Sequence, residues 1–285
     1  MYNCLILAGP TAIGKTSLSI KLAQRLNMEI ISADASQVYK ELNIGTAKIN
    51  KEQMQGIVHH LIDIVEPSEI YSVGRYYNDA NKILNDNKNK QYIITGGTGL
   101  YIDSITDGLT DTPEVDFEKR KILENKSLTE LVEILKEKKL DKDIDLKNKV
   151  RVIRKIEKGN IEYNNIKGND RQFLKVFLTM DRTKLYERIN KRVDIMLNNG
   201  LVEEAHNIYN KYGDIVTSIG YKELNKYFKN EIDLDTAIYL IKRNSRRYAK
   251  RQFTWFKNKG YEEFDIDKLN ESQIEEDIIR RMYAF

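Results

Sequence analysis

Residues 9–16, Gly9-Pro10-Thr11-Ala12-Ile13-Gly14-Lys15-Thr16, follow the pattern G-x-x-x-x-G-K-[ST], and their flanks restrict the fold further. Ahead lies a short apolar run, Cys4-Leu5-Ile6-Leu7-Ala8, and behind it residues 16–26 set Leu18, Ile20, Leu22, Ala23 and Leu26 at helical spacing. Strand, glycine loop and amphipathic helix in that order predict a phosphate-binding loop at the edge of an α/β sheet. Glycines let the backbone wrap so that its N–H groups face phosphate oxygens, and the helix N-terminus adds positive potential. Lys15 then reaches the terminal phosphates, and the Thr16 hydroxyl is placed for Mg²⁺. From average residue usage the four fixed positions coincide by chance in about one chain in a hundred of this length. The whole loop from Gly9 to Thr16 is therefore expected to hold a diphosphate or triphosphate.

Three further apolar runs, residues 29–32, 92–95 and 176–180, predict buried parallel strands, and the helical stretches between them give the alternation of a doubly wound sheet. The expected fold class is α/β, a P-loop NTPase-like core whose parallel sheet is flanked by helices. From about residue 111 to 170 the pattern changes to short, charged helical segments, 128–140 and 149–158, with no strand. That stretch predicts an all-helical insertion, with residues 1–110 and 171–285 forming the core. Residues 182–197, 201–212 and 235–257 read as helices that return to the core, and the Asn/Lys-rich patches 85–90 and 160–169 read as loops.

With 285 residues, 41% hydrophobic and only 3 Pro, the chain can bury a sizeable core and is not a disordered one. Its longest uncharged run, residues 1–14, is shorter than the roughly 18 apolar residues of a membrane span, and no secretory leader is legible. The single cysteine, Cys4, precludes an internal disulfide and a multi-cysteine zinc site; it reads as a small buried strand residue in a reducing cytoplasm. His59 and His60 are adjacent, project differently and have no third ligand in sight, so a metal site is not expected there. A net charge of +4 names no partner. Its distribution matters more: residues 242–259 hold eight Lys/Arg and no Asp or Glu, so positive charge is concentrated late in the chain, as either an RNA-facing or a solvated basic helix. Helical spacing puts Arg243, Arg247, Lys250 and Lys257 on one face and Ile241, Tyr248, Gln252 and Trp255 on another. Arg246, Arg247, Lys250 and Arg251 are thus candidates to meet RNA phosphates, and Trp255 is expected in the core.

The loop alone does not say whether phosphate is transferred or merely leaves. An NTPase of this kind carries an apolar strand ending in a carboxylate for the metal, yet residues 92–95 run into Gly96-Gly97-Thr98-Gly99-Leu100-Tyr101. Among the strands read here only the run at 29–33 ends in a carboxylate, Asp34, at the carboxyl edge where α/β sheets place ligands.

The segments GPTAIGKT (9–16), ISADASQVYKELNIGTAK (31–48), HHLID (59–63), GGTGLY (96–101), VRVIRKIE (150–157), GYKE (220–223) and AKRQFTWFK (249–257) together resemble the bacterial tRNA dimethylallyltransferase family, the adenosine-37 isopentenyltransferases. The resemblance covers nearly the whole chain in order. It implies transfer of a dimethylallyl group from dimethylallyl diphosphate to N6 of adenosine 37, in the anticodon stem-loop of tRNA, with the loop holding the prenyl diphosphate and Mg²⁺ assisting. It further implies that Asp34 is the base acting on N6, that Thr98 hydrogen-bonds near the reacting groups, and that Lys222 stands where many relatives carry an arginine for the diphosphate. Lys222 keeps the charge but not the bidentate fork. Asp34, Ala35, Ser36 and Gln37 match the stretch touching the target base, with Ala35 replacing a common serine. Arg120, Val150, Arg151, Val152, Ile153 and Arg154 match tRNA contacts of the insertion. A cytoplasmic monomer is expected, one tRNA filling one site.

The chemistry of the residues agrees with that implication. Adenine N6 is a weak nucleophile, so attack on an allylic carbon needs a carboxylate to take the proton and a stabilised diphosphate leaving group. Lys15, Thr16 with Mg²⁺ and the loop amides suit the second need, and a stacked base must be extruded to reach such a pocket. A small-molecule kinase, an isopentenyltransferase acting on free AMP and a non-enzymatic RNA-binding protein are the competing readings; respectively, the missing metal carboxylate, the cationic late helix and the phosphate loop with Asp34 argue against them.

Overall fold

All five residues of Cys4–Ala8 are buried, the condition of a strand covered on both faces. They form β1, an inner strand of a six-stranded parallel sheet, in a computed structural model that describes residues 2–110, 116–142, 144–161 and 164–284. The chain divides into two compact units, Met1–Asp107 with Gly168–Phe285, and Gly108–Lys167.

In the first unit β1 leads through the loop at residues 9–14 to α1 (Lys15–Leu26), which ends at Asn27 in the left-handed region (φ 51°) with its N–H on Ala23 O. Asparagine tolerates that conformation and closes the last turn. The chain continues through β2 (Glu29–Ala33), β3 (His59–His60), α2 (Val73–Asp86), β4 (Tyr92–Gly96) and α3 (Gly99–Thr106). The second unit then holds β5 (Leu109–Thr110), α4 (Phe117–Glu124), α5 (Leu128–Glu137), α6 (Lys149–Lys158) and β6 (Asn165–Ile166). Back in the first unit come β7 (Phe173–Thr179), α7 (Arg182–Asn198), α8 (Leu201–Tyr212), α9 (Tyr221–Phe228), α10 (Leu234–Phe256), β8 (Glu262–Asp265) and α11 (Glu271–Tyr283).

The sheet order is β3-β2-β4-β1-β7-β8. Period-2 alternation sorts each strand between two cores. Leu5, Leu7, Ile30, Ile93 and Val176 pack with Leu18 and Leu22 of α1 and Ile274, Ile278 and Met282 of α11. On the opposite face Cys4, Ile6, Ile31, Ile94 and Phe177 pack with Tyr76, Ala80 and Leu84 of α2 and Tyr101, Ile102 and Ile105 of α3. Each fully buried Leu, Ile, Val, Phe or Met among them contributes about 1.5–3 kcal/mol on burial. A third cluster, with Val193, Leu201, Ala205, Tyr221, Leu224 and Ile241, joins α7, α8, α9 and α10.

The insertion is not wholly helical, as its sequence had suggested. Leu109 pairs antiparallel with Ile166 and Thr110 with Asn165, so a two-residue ribbon lies at its ends and β6 falls inside a patch read as loop. Its helices pack Leu123, Leu131, Leu135, Leu140, Val152, Ile153 and Ile156 into a core of their own. Ser127 and Glu130 form a capping box at the start of α5, Glu130 N donating to Ser127 Oγ at 3.2 Å and Ser127 N to Glu130 Oε2 at 2.7 Å.

Candidate active site

Ala8 of β1 pairs with Gly96 of β4, and Gly96 with Ala33 of β2. Because these residues end their strands in register, the loop at 9–16, the Gly97-Thr98 turn and Asp34 all leave the sheet at one level, along its carboxyl edge. The site is thus assembled by strand register before any side chain is considered.

In the loop, Ala12 (φ 66°) and Gly14 (φ 105°) are left-handed on either side of Ile13, the alternating backbone of an anion nest. Lys15 folds back over it, Nζ donating to Gly9 O at 2.7 Å and Pro10 O at 2.9 Å. Burial, and then the charge of Arg192, push the Lys15 ammonium down to about 7, with Asp34 opposing the shift. Arg192, from α7, donates Nη1 to Thr11 Oγ1 at 3.2 Å. Burial also pulls its guanidinium below the ordinary arginine range, although it stays cationic at any physiological pH.

Thr98 ties the turn to the Asp34 segment twice: its N donates to Ala33 O at 3.0 Å, and its Oγ1 accepts from Ala35 N at 3.0 Å. Asp34 itself accepts Ser36 N (2.9 Å) and Gln37 N (3.4 Å) on Oδ1, while no described residue donates to Oδ2. From α10, Gln252 accepts Thr11 N on Oε1 and donates Nε2 to Gly97 O, both at 3.0 Å. A Cβ on Gly97 would come within 1.9 Å of that Nε2, so only glycine admits the approach. Tyr248 OH also donates to Gly97 O at 3.3 Å; burial, and then the charge of Asp34, push its phenol up to about 12.

Two cavities meet here. The smaller, about 90 Å³, is lined by Lys15, Thr16, Ser32, Gln37 and His59 among others. The larger, about 520 Å³, is lined by polar Ser36, Ser218 and Lys222, by Ala35, and by apolar Ile189, Val193, Met196, Leu201 and Ile241. Thr11, Asp34, Arg192 and Tyr248 line both. Asp34 therefore lines both the small chamber beside the phosphate loop and the larger one next to it.

Residues 37–259 match the family model described as IPP transferase. The chain belongs to the IPP transferase family. The tRNA dimethylallyltransferase of Fusobacterium nucleatum subsp. nucleatum is 49% identical over 289 residues, covering 96% of this chain and 95% of that one. The full-length tRNA isopentenylpyrophosphate transferase of Bacillus halodurans superposes with a TM-score of 0.76 at 37% identity, over 100% of this chain and 98% of that one. A eukaryotic dimethylallyltransferase caught acting on tRNA gives 0.78 at 25% identity, over 99% of this chain and 77% of that one. An IPP transferase of this kind is an enzyme, and no described helix is long and apolar enough to cross a membrane.

In this IPP transferase the structure brings Lys15, Thr16, Asp34, Ala35, Ser36, Gln37, Thr98 and Lys222 around the two cavities. Pro10 and Ile13 are buried beneath the loop, so they serve it through backbone and packing. Of the basic residues on α10, Arg251 lines the large cavity, and Arg247, Lys250 and Arg251 are exposed. Arg246 instead donates Nη1 to Asn190 Oδ1 at 2.6 Å. Trp255 is not a core residue: it is 39% exposed, its Nε1 donates to Asp103 Oδ2 at 2.9 Å, and Lys259 sits 4.6 Å from its ring centroid.

The expectation of side-chain contact with RNA is corrected for two residues of the insertion, Val152 and Ile153. Val152 and Ile153 are 0% and 4% exposed in its core, so their side chains are withdrawn from RNA contact. Arg120 forks onto Glu157, Nε to Oε1 at 2.8 Å and Nη2 to Oε2 at 2.6 Å, and so braces α4 against α6. Val150 and Arg151 remain exposed.

Arg192 and Gln252 escaped the sequence reading as functional groups. The signal was present: Arg192 falls three residues after Ile189 and beside Val193, both buried, and Gln252 is a polar residue in an apolar helical stripe. His59 and His60 lie in β3, with His60 Nε2 2.8 Å from Glu29 Oε2; no group of three or more His, Cys, Asp and Glu that would hold a metal occurs among the described residues. The additional strand-end carboxylate, Asp265 of β8, is 3.2 Å from Lys268.

Proposed function

We propose that the chain is a tRNA dimethylallyltransferase that prenylates N6 of adenosine 37, with Asp34 as the base. The observation carrying this is the position of Asp34 between the chamber at the phosphate loop and the larger chamber lined by Ser36, Ser218 and Lys222. A diphosphate in the first and an extruded adenine in the second would meet at its carboxylate.

The N6 lone pair attacks C1 of the dimethylallyl group and forms the C–N bond. The C1–O bond breaks, its electron pair leaves on the diphosphate, and the proton on N6 passes to Asp34. Lys15 and Arg192, drawn together at Thr11 and Gly9, suit the charge that grows on the departing oxygen, and Lys222 adds a third cation from the far wall. Thr98 fixes the Asp34 segment rather than exchanging protons. Mg²⁺ fits beside Thr16, whose exposed side chain lines the small cavity; the lack of a carboxylate cage among the described residues suits an ion that keeps its waters and binds through substrate phosphates. When bound, Mg²⁺ would neutralise diphosphate charge.

Exposed Arg247, Lys250 and Arg251 support reading α10 as the RNA-facing helix. Within the insertion, a groove of about 530 Å³ lined by Lys139, Lys142, Arg151, Arg154, Lys155 and Lys158 supports a second phosphate-contacting surface. We take the enzyme to act as a cytoplasmic monomer. The test is incubation with Mg²⁺, labelled dimethylallyl diphosphate and either unmodified tRNA or AMP, with ATP as control. Label in tRNA alone is expected; label in AMP would make the chain a nucleotide prenyltransferase, and ATP consumption without transfer a kinase.

A further inference from the structure

Glu204 of α8 lines neither cavity, yet its carboxylate collects four donors from two segments whose neighbouring residues, Gly45 and Thr46 on one and Gly220 and Lys222 on the other, line the larger one. Asn43 N reaches Oε2 at 3.1 Å, Ile44 N lies 2.9 and 2.8 Å from Oε1 and Oε2, Gly45 N reaches Oε1 at 3.0 Å, and Tyr221 OH donates to Oε1 at 2.6 Å. Three consecutive backbone amides converging on one anion form a nest whose occupant is a side chain of the protein itself. The fit is close: a Cβ on Gly45 would fall 2.6 Å from Tyr221 Cε2, so the buried ring approaches a position only glycine can hold.

These contacts join the two segments that face each other across the site. One runs from Asp34 through Ser36 to Gly45 and Thr46; the other carries Ser218, Gly220 and Lys222. A lighter link, Ser36 Oγ to Ser218 Oγ at 3.1 Å, spans the same gap. The phosphate loop is held by a different device, Gln252 on Thr11. Tyr221 is fully buried, and burial together with the charge of Glu204 pushes its phenol far up, so the hydroxyl remains a donor throughout the working range.

We propose that Glu204 is a positioning residue, clasping residues 43–45 to Tyr221 so that Asp34 and Lys222 keep the separation the transfer requires. The proposal rests on the prenyltransferase reading for what is being positioned, although the clasp itself does not.

The experiment pairs kinetics with hydrogen exchange on the full chain, using Glu204→Gln, Tyr221→Phe and the double variant. Glu204→Gln keeps the side chain's size but turns an NH₂ toward donors. Transfer to tRNA is expected to lose tenfold or more in kcat per folded molecule, with pyrophosphate affinity falling by less than kcat, because the phosphate loop is tied elsewhere and only the Lys222 contact is loosened. Tyr221→Phe should lose less, and the double variant should lie within about twofold of Glu204→Gln alone, since both break one unit. Amides in residues 43–47 and 218–222 should lose protection together in Glu204→Gln. Unchanged kcat with only a lowered Tm, additive losses, or deprotection of one segment alone would overturn the clasp. Wild-type protein that fails to label tRNA would overturn the prenyltransferase reading instead, with the exchange result still deciding whether the clasp exists.

Discussion

Gln252 bridges two turns that carry opposite halves of the chemistry, accepting Thr11 N and donating to Gly97 O, each at 3.0 Å. One primary amide satisfies both partners only in a single orientation, so it sets the distance from the phosphate loop to the turn that holds Thr98. Gln252→Leu strips Thr11 N of its acceptor and leaves Gly97 O with only the longer bond from Tyr248 OH at 3.3 Å; a donor left unpaired in this way costs about 1–3 kcal/mol. The expected outcome is a lower Tm and at least a tenfold fall in kcat/KM for transfer. Gln252→Glu keeps the acceptor for Thr11 and sets a carboxylate against Gly97 O; it should recover stability less than a shape argument alone predicts. Thermal denaturation and steady-state kinetics check both, and wild-type activity in Gln252→Leu would remove the bridge from the mechanism.

Asp34→Asn tests the base while sparing the turn. The Asn carbonyl oxygen can still accept Ser36 N, which Asp34 Oδ1 does at 2.9 Å, so the segment at residues 34–37 should stay in place. Loss of the basic oxygen should cost on the order of 10²–10⁴ in turnover, the usual range for a general base. Pyrophosphate binding should be unchanged. Single-turnover transfer with tRNA in excess separates the two, and turnover near wild type would assign the proton to another group.

Why these two residues differ in legibility is a matter of chain distance. Asp34 follows its strand directly, and the loop at 9–16 is a contiguous pattern between a strand and a helix that local propensity already favours. α6 (Lys149–Lys158) and α8 (Leu201–Tyr212) likewise carry their own periodicity, and the structure starts and ends them where the sequence pattern does. Gln252 and Arg192 reach Thr11 from 241 and 181 residues away, a juxtaposition that only the closed sheet creates. β3 and the β5–β6 ribbon have two residues per strand, too few for any period to register; their pairing comes from neighbours. Trp255 was read as core because its helical stripe is apolar, yet its indole N–H found Asp103, as an amphipathic ring at a surface does.

Lys15 makes the site sensitive to pH near neutrality. Burial and Arg192 hold it at about 7, against 10.5 in a free lysine, with Asp34 acting the other way. Between those values the unfolded chain keeps a proton that the folded chain lacks, so this group makes stability rise with pH across that window and contributes its full penalty below it. Anion binding runs in the opposite sense. A bound diphosphate favours the ammonium, so above about pH 7 binding should take up a proton and weaken by as much as tenfold per pH unit. Calorimetry of pyrophosphate binding at pH 8, in two buffers of different ionisation enthalpy, should report uptake approaching one proton, absent in Lys15→Met. Wild-type binding without uptake would show that Lys15 is already charged.

The late basic helix should act on RNA and not on the prenyl donor. Arg247 and Lys250 are exposed on α10, whereas Arg246 is bonded to Asn190 and would disturb α7 if reversed. Arg247→Glu with Lys250→Glu should therefore raise KM for tRNA tenfold or more, leave KM for dimethylallyl diphosphate within twofold, and keep Tm. If the two side chains each neutralise one phosphate, the slope of log KM against log salt should also flatten by about 1.5, since each lost contact removes roughly 0.7–0.9. Equal effects on both substrates would mean that the cations act through the fold or the diphosphate. An unchanged salt slope with a raised KM would mean that the helix steers RNA without touching its backbone.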